Sequence, residues 1–219
     1  MKMKKLLIPI AMIVFAVSAS AEWFENFDSY DEGSGIHGQG GWEGWCGNPD
    51  WDTTCVTTEQ YNSAPQSLAL NPESVIAQPR EETSGIWTLT LESFIPSGTT
   101  GNRTLAILCD YPDADYDAMI FFDADVGIVY EPLSVQGTAM KFDQWVEVEI
   151  VMNLDENTYA LYYDNINFYT YDWPGSDVLA AISLNQYSAS ASTTYWDDFS
   201  LVSATSLQHN TWASIKSTF

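Results

Sequence analysis

Positive charge is the scarcest property of this sequence. Seven Lys and Arg face thirty Asp and Glu over 219 residues, and three of the seven, Lys2, Lys4 and Lys5, lie within the first 21. Beyond them only Arg80, Arg103, Lys141 and Lys216 remain, four cations against thirty acids, for a formal charge of −26. Phosphate backbones are bound by clustered Lys and Arg that displace counterions, so nucleic acid is excluded as a partner, and anionic membrane surfaces with it. Histidine and cysteine are nearly as rare. Two histidines, His37 and His209, and three cysteines without a C-x-x-C pair leave zinc no ligand set. Neither G-x-S-x-G nor H-E-x-x-H occurs. Helical periodicity is missing from Glu22 to Val202, and after the first apolar run no stretch approaches the ~20 residues a membrane span needs.

That first run is informative. Residues 1–21 carry Lys2, Lys4 and Lys5, an apolar core from Leu6 to Val17 and the small-residue ending Ala19-Ser20-Ala21, the three parts of a secretory signal. Export to the extracellular space or cell surface is expected, with no membrane insertion after cleavage before Glu22. Residues 22–203 are then one domain. Residues 204–219 form a tail in which Trp212, Ile215 and Phe219 recur at helical spacing, a short helix or a sorting or docking tag. In an exported chain, Cys46 and Cys55 across Gly47-Asn48-Pro49-Asp50 are expected to form a disulfide. Cys109, inside the apolar run Leu105 to Cys109, reads as a buried thiol.

The pattern of what is present is β-strand. Val146, Val148, Ile150 and Met152 alternate with Glu147, Glu149 and Val151, the period of a strand with one face on a core. Asn153 to Asn157 supplies turn chemistry, Tyr159, Leu161 and Tyr163 form a second strand, and Ile166, Phe168 and Thr170 a third beyond the Asp164-Asn165 turn. Glu22 to Tyr30, Ser67 to Leu70, Gly85 to Pro96, Leu105 to Tyr111, Ala118 to Phe122, Ile128 to Tyr130 and Thr194 to Val202 read as further strands, with Trp87, Leu89 and Leu91 facing a core. Gly33, Gly35 and Gly38 match G-x-G-x-x-G, but no helix follows to hold a phosphate, so they read as turn residues. The class is an all-β sandwich.

Several pieces together carry a resemblance. The opening NFDSY, HGQGGWEGW, SGIWTLTLESFIPSG, QWVEVEIVMNLDENTYALYYDN and the closing YWDDFSLV resemble bacterial exported domains of the concanavalin A-like lectin/glucanase superfamily, of the laminin-G-like kind, over roughly residues 23 to 203. The resemblance implies a jelly-roll of two antiparallel sheets, a role in binding carbohydrate or cell-surface ligands, and a structural calcium. In β-sandwich carbohydrate modules, acids of the first strand and of a terminal Asp-Asp pair hold such an ion. Glu25, Asp28, Asp197 and Asp198 stand at those places. A second set of acids, Asp110, Asp113, Asp115, Asp117, Asp123 and Asp125, crowds two predicted turns, but fails the EF-hand template at Ala118 and Ala124.

Catalysis is not expected. Glucanases of the superfamily carry E-x-D-x-x-E on one strand, and the nearest match here, Glu147-Val-Glu149-Ile-Val-Met152, has Glu in place of Asp and Met in place of the second Glu. Sugar binding instead needs exposed rings beside polar groups. Tyr162, Tyr169, Tyr171 and Trp173 are candidates for one outward aromatic strip, and Trp45, Trp51, Tyr111 and Tyr116 for loop platforms, against the alternative that these rings fill the core. The expected function is non-catalytic glycan or surface-ligand binding. The alternatives are a glycan-degrading enzyme with an unrecognised site and a structural matrix protein.

Overall fold

The structure is a computed structural model that describes residues 23–204, apart from 114 and 173–177. The expected signal, most of the tail and Trp173 lie outside the described residues. Among the described residues fifteen strands succeed one another. They are β1 (Trp23–Glu25), β2 (Glu43–Gly44), β3 (Cys55–Thr57), β4 (Ser67–Leu70), β5 (Ser74–Glu82), β6 (Ile86–Phe94), β7 (Asn102–Asp110) and β8 (Asp115–Asp123). There follow β9 (Ile128–Tyr130), β10 (Gly137–Ala139), β11 (Trp145–Asn153), β12 (Thr158–Tyr163), β13 (Ile166–Asp172), β14 (Leu179–Gln186) and β15 (Thr194–Ser203). Two single 3-10 turns, Trp45–Gly47 and Pro49–Trp51, interrupt them.

These strands build two antiparallel sheets. The first runs β13-β12-β11-β6-β15-β4-β3, with β1 added alongside β15, and the second β10-β9-β8-β7-β14-β5-β2. The meander β11-β12-β13 forms as its alternation predicts: Val146, Val148, Ile150 and Met152 are buried, and the residues between them are half-buried on the other face. In β15 a bulge does the positioning. The register shifts between Asp197 and Ser200, and Asp198 takes a left-handed φ of 51°, so Trp196 and Phe199 both point inward despite their spacing of three. Trp196 meets Phe122 edge-on at 5.2 Å. Phe199 packs between Trp42 at 5.5 Å and Phe27 at 5.8 Å. Each such ring contributes about 3 kcal/mol of apolar burial.

Three expectations are corrected. The strand expected from Glu22 to Tyr30 ends at Glu25, because Phe27 turns the chain with a φ of 61°. Two of the strands at the centre of the second sheet, β5 and β14, were not expected, since both of their faces are buried and no alternation marks them. Pro79 within β5 is accommodated opposite a register shift between Leu179 and Ala181. The Cys46–Cys55 disulfide does not form, and both are free thiols. Cys46 sits exposed at a φ of 56° in a turn stitched to Tyr111, just past β7 of the second sheet, whereas Cys55 opens β3 of the first, opposite Ala69.

Candidate functional site

The outward face of the second sheet is small and polar over its central strands and bulkier toward β8 and β9. Register aligns Val75, Asn185, Thr104, Phe121 and Tyr130 in one row across five strands, and Ala77, Ser183, Ala106 and Met119 in the next. Their chain neighbours Ile76, Leu184, Leu105 and Ile120 fill the core. Ala77, Ala106, Ser183 and Asn185 nonetheless have almost no contact with water, although their side chains face away from the core. Aromatic rings, three from turns and loops and one from β8, close over this face. Ser183 is held there by donating its hydroxyl to the Ile76 carbonyl at 2.8 Å.

Four rings form the cover. Trp45, Trp51, Tyr116 and Tyr187 surround, with Val75, a cavity of about 220 Å³. The tryptophans come from the two 3-10 turns, whose tightness depends on Gly44: a Cβ there would lie 2.1 Å from the Asn48 carbonyl oxygen. The Asn48 side chain caps the second turn by accepting from the Asp50 amide at 3.0 Å. Tyr111 anchors the first turn, donating its hydroxyl to Glu43 at 2.6 Å, accepting the Cys46 amide at 3.0 Å and packing edge-on against Trp45 at 5.3 Å. Burial and the bond to Glu43 push its ionisation up. Tyr116 and Tyr187 bring their hydroxyls to 3.5 Å. Burial and that contact raise the pKa of Tyr187.

Beyond Tyr187 the groove continues into a second space of about 660 Å³, lined by Thr100, Asn102, Thr104, Phe121, Ser188 and Ser190 among others. Its walls are two loops tied together by one buried cation. The Arg103 guanidinium, wholly shut from water, donates to the carbonyls of Gly101 at 2.9 Å and of Thr100 and Ser192 at 3.0 Å. Burial lowers its pKa to about 10, and the charges of Asp125 and Asp123 work against that fall, so it stays protonated at neutral pH. Gly101, at a φ of 78°, passes so close to Ala191 that a Cβ would lie 2.9 Å from the Ala191 Cβ. A third cavity, also about 660 Å³, lies at the other end of the sheet beside Arg80, Glu82, Asp110 and Tyr111.

Of the residues expected as loop platforms, Trp45, Trp51 and Tyr116 line one cavity, Tyr116 from within β8 and not from a loop, while Tyr111 packs on Trp45 and lines the third cavity. Of the expected strip, Trp173 lies outside the described residues and Tyr162 is separated from Tyr169 and Tyr171. A bulge between Leu161 and Tyr162 resets the register of β12 against β13, so Tyr169 lies opposite core Leu161 and is buried, stacked on Tyr171 at 5.8 Å and packed against Tyr159 at 5.9 Å. Tyr162 pairs with Glu149 on the opposite, outward face. Ile166, expected inside, is 50% exposed. Tyr187 was missed because β14 was missed. It is the first residue past that strand, a place a marked strand end would have singled out.

The terminal acids play another part. Asp197 is fully buried and accepts backbone N–H bonds from Asn62 at 2.8 Å, Ser63 at 3.0 Å and Asp198 at 2.8 Å. Asp198 accepts from the Asn62 side chain and the Ser63 hydroxyl. Glu25 accepts from the Phe27 amide and the Tyr30 hydroxyl, and Asp28 from Asn26 and the Gln66 amide. Those donors hold the four carboxylates in place, and among the described residues no three acidic, histidine or cysteine side chains are grouped to hold a metal.

The outward face of the first sheet holds a different pairing. Glu92 of β6 lies directly opposite Glu147 of β11 and beside the β15 bulge, next to a half-buried aromatic row in which Phe94 meets Trp145 at 5.5 Å and Tyr195 at 6.1 Å. Burial first, then the charges of Glu147 and Asp198, lift the Glu92 pKa from 4.5 to about 7. A folded-state pKa raised in this way means that the folded protein holds the proton longer than the unfolded chain. Its contribution is complete below pH 4.5 and is lost as pH rises through about 7. Glu92→Gln, which keeps the site neutral, is expected to raise Tm at about pH 8 and to leave it unchanged at about pH 4. Equal shifts at both values in a thermal melt would contradict this coupling.

No family model and no curated protein matches the sequence. Similarity to solved structures is at the level of fold. A sialidase aligns at a TM-score of 0.58 and 12% identity over 84% of this chain, which spans 18% of that protein's length. The catalytic domain of a glycoside hydrolase family 131 protein from Coprinopsis cinerea aligns at 0.56 and 8% identity, covering 82% of this chain and 92% of that one. The T. cruzi calreticulin globular domain aligns at 0.52 and 9% identity, over 89% and 94%. With its two antiparallel sheets of eight and seven strands, the described chain has the concanavalin A-like jelly-roll fold.

Proposed function

We propose that this chain is an exported, non-catalytic carbohydrate-binding domain whose ligand lies in the groove on the second sheet. The observation that carries this is the cover of Trp45, Trp51, Tyr116 and Tyr187 beside a wall of Thr100, Asn102, Ser188 and Ser190. A sugar ring has an apolar face of C–H bonds and an edge of hydroxyls. An aromatic plane accepts the first, and short hydroxyl and amide side chains accept the second. Trp51 and Tyr187, 43% and 59% exposed, are displayed to solvent at a cost that a purely structural role does not require. Two structures of this fold are named as a sialidase and a glycoside hydrolase, which supports a carbohydrate ligand.

A second reading has its own observation. Glu92, with its raised pKa, opposite Glu147 is the arrangement of a general acid beside a second carboxyl, and retaining glycosidases use such a close carboxyl pair. That pair lies on the other sheet from the groove. A glycan array together with a reducing-sugar release assay separates the two. Binding without release is the expected outcome. Release that disappears in Glu92→Gln would replace the first reading with the second, and silence in both assays would leave a structural matrix role.

A further inference from the structure

We infer that the groove selects uncharged oligosaccharides and discriminates against uronate-bearing or otherwise anionic glycans, an inference that rests on the carbohydrate-binding reading above. None of the residues lining its two spaces is Lys or Arg, and the charged residue among them is an acid, Asp125. Each cation among the described residues is engaged elsewhere. Arg103 faces inward and spends its donors on three backbone carbonyls. Lys141 pairs with Asp164. Arg80 lies over the Trp23 ring at 4.3 Å and lines the third cavity, among Glu81, Glu82 and Asp110, and not either space of the groove.

The local field has one sign. Asp125 is exposed at the groove wall, where its carboxylate accepts the Gly101 amide at 3.0 Å, and the chain beyond residue 21 carries a formal charge of −26. A carboxylate or sulfate on the ligand would approach this wall with no guanidinium or ammonium to pair with, and recognition of such groups depends on that pairing. A neutral sugar meets no such barrier, and the hydroxyls and amides of Thr100, Asn102, Ser188 and Ser190 suit its hydroxyls. Tyr187 borders both spaces, so a bound chain would extend from the aromatic cover into the polar pocket and present more than one ring.

The test is isothermal titration of the whole chain with neutral gluco-, manno-, galacto- and xylo-oligosaccharides and with galacturonate and alginate oligomers of matched length, in about 20 mM and about 500 mM NaCl. The expected result is binding of at least one neutral series with affinity indifferent to salt. Every uronate series should bind at least about tenfold more weakly in low salt, with the gap narrowing as salt screens Asp125. A uronate oligomer that binds as tightly as any neutral one, and more weakly in high salt, would overturn the selectivity while leaving carbohydrate binding intact. Silence from every series, or neutral binding unaffected by Tyr187→Ala, would overturn the groove reading itself and this inference with it.

Discussion

Replacing Trp51 and Tyr187 together by alanine is expected to weaken glycan binding about a hundredfold while leaving the fold intact. Neither ring belongs to the core, Trp51 being 43% and Tyr187 59% exposed, so their removal opens no core cavity, and Tm should stay within about 2 °C of the parent. An aromatic plane lost from a stacking position costs about 1.5 kcal/mol, roughly tenfold each. The two flank the same cavity from different elements, one the second 3-10 turn and the other just past the end of β14, and the departure of the double variant from the product of the single effects measures their coupling through that cavity. The measurement is titration with whichever oligosaccharide binds the parent, beside a thermal melt. A double variant that melts as the parent does and binds as well would remove the groove from consideration.

Arg103→Met is expected to cost about 3 kcal/mol of stability, a fall in Tm of roughly 6–12 °C. Methionine keeps the aliphatic length inside the core but abandons the carbonyls of Thr100, Gly101 and Ser192, which then lack the charge-assisted donor that holds the two loops together. Those loops form the polar wall of the groove, so affinity should fall with stability even though Arg103 faces away from any ligand. Arg103→Lys should recover little, because one ammonium cannot reach three carbonyls in the geometry of a planar fork. A thermal melt of the two variants checks the order. Lysine restoring parental stability would show that charge, and not the fork, is what the loops require.

The sequence by itself determined the strand character and, wherever one face of a strand meets water, the face that goes inside. The meander of β11 to β13 and the inward Trp87, Leu89 and Leu91 were legible because alternation survives when the other face stays wet. The acidity that bears on ligand charge was legible too, since charge is a sum that folding does not alter. Tertiary structure decided everything set by register. Bulges at Leu161 and Asp198 moved side chains between faces without a mark in the pattern. Burial on both sides hid β5 and β14, and with them Tyr187 and the floor of the groove. Trp45 and Trp51 stood out as loop aromatics, and Tyr116, read as a third, lies in β8. That they share one cavity follows from chain crossings that bring residues 45–51 and 187 beside residue 116 of the sheet, a proximity set by long-range packing and invisible to local spacing.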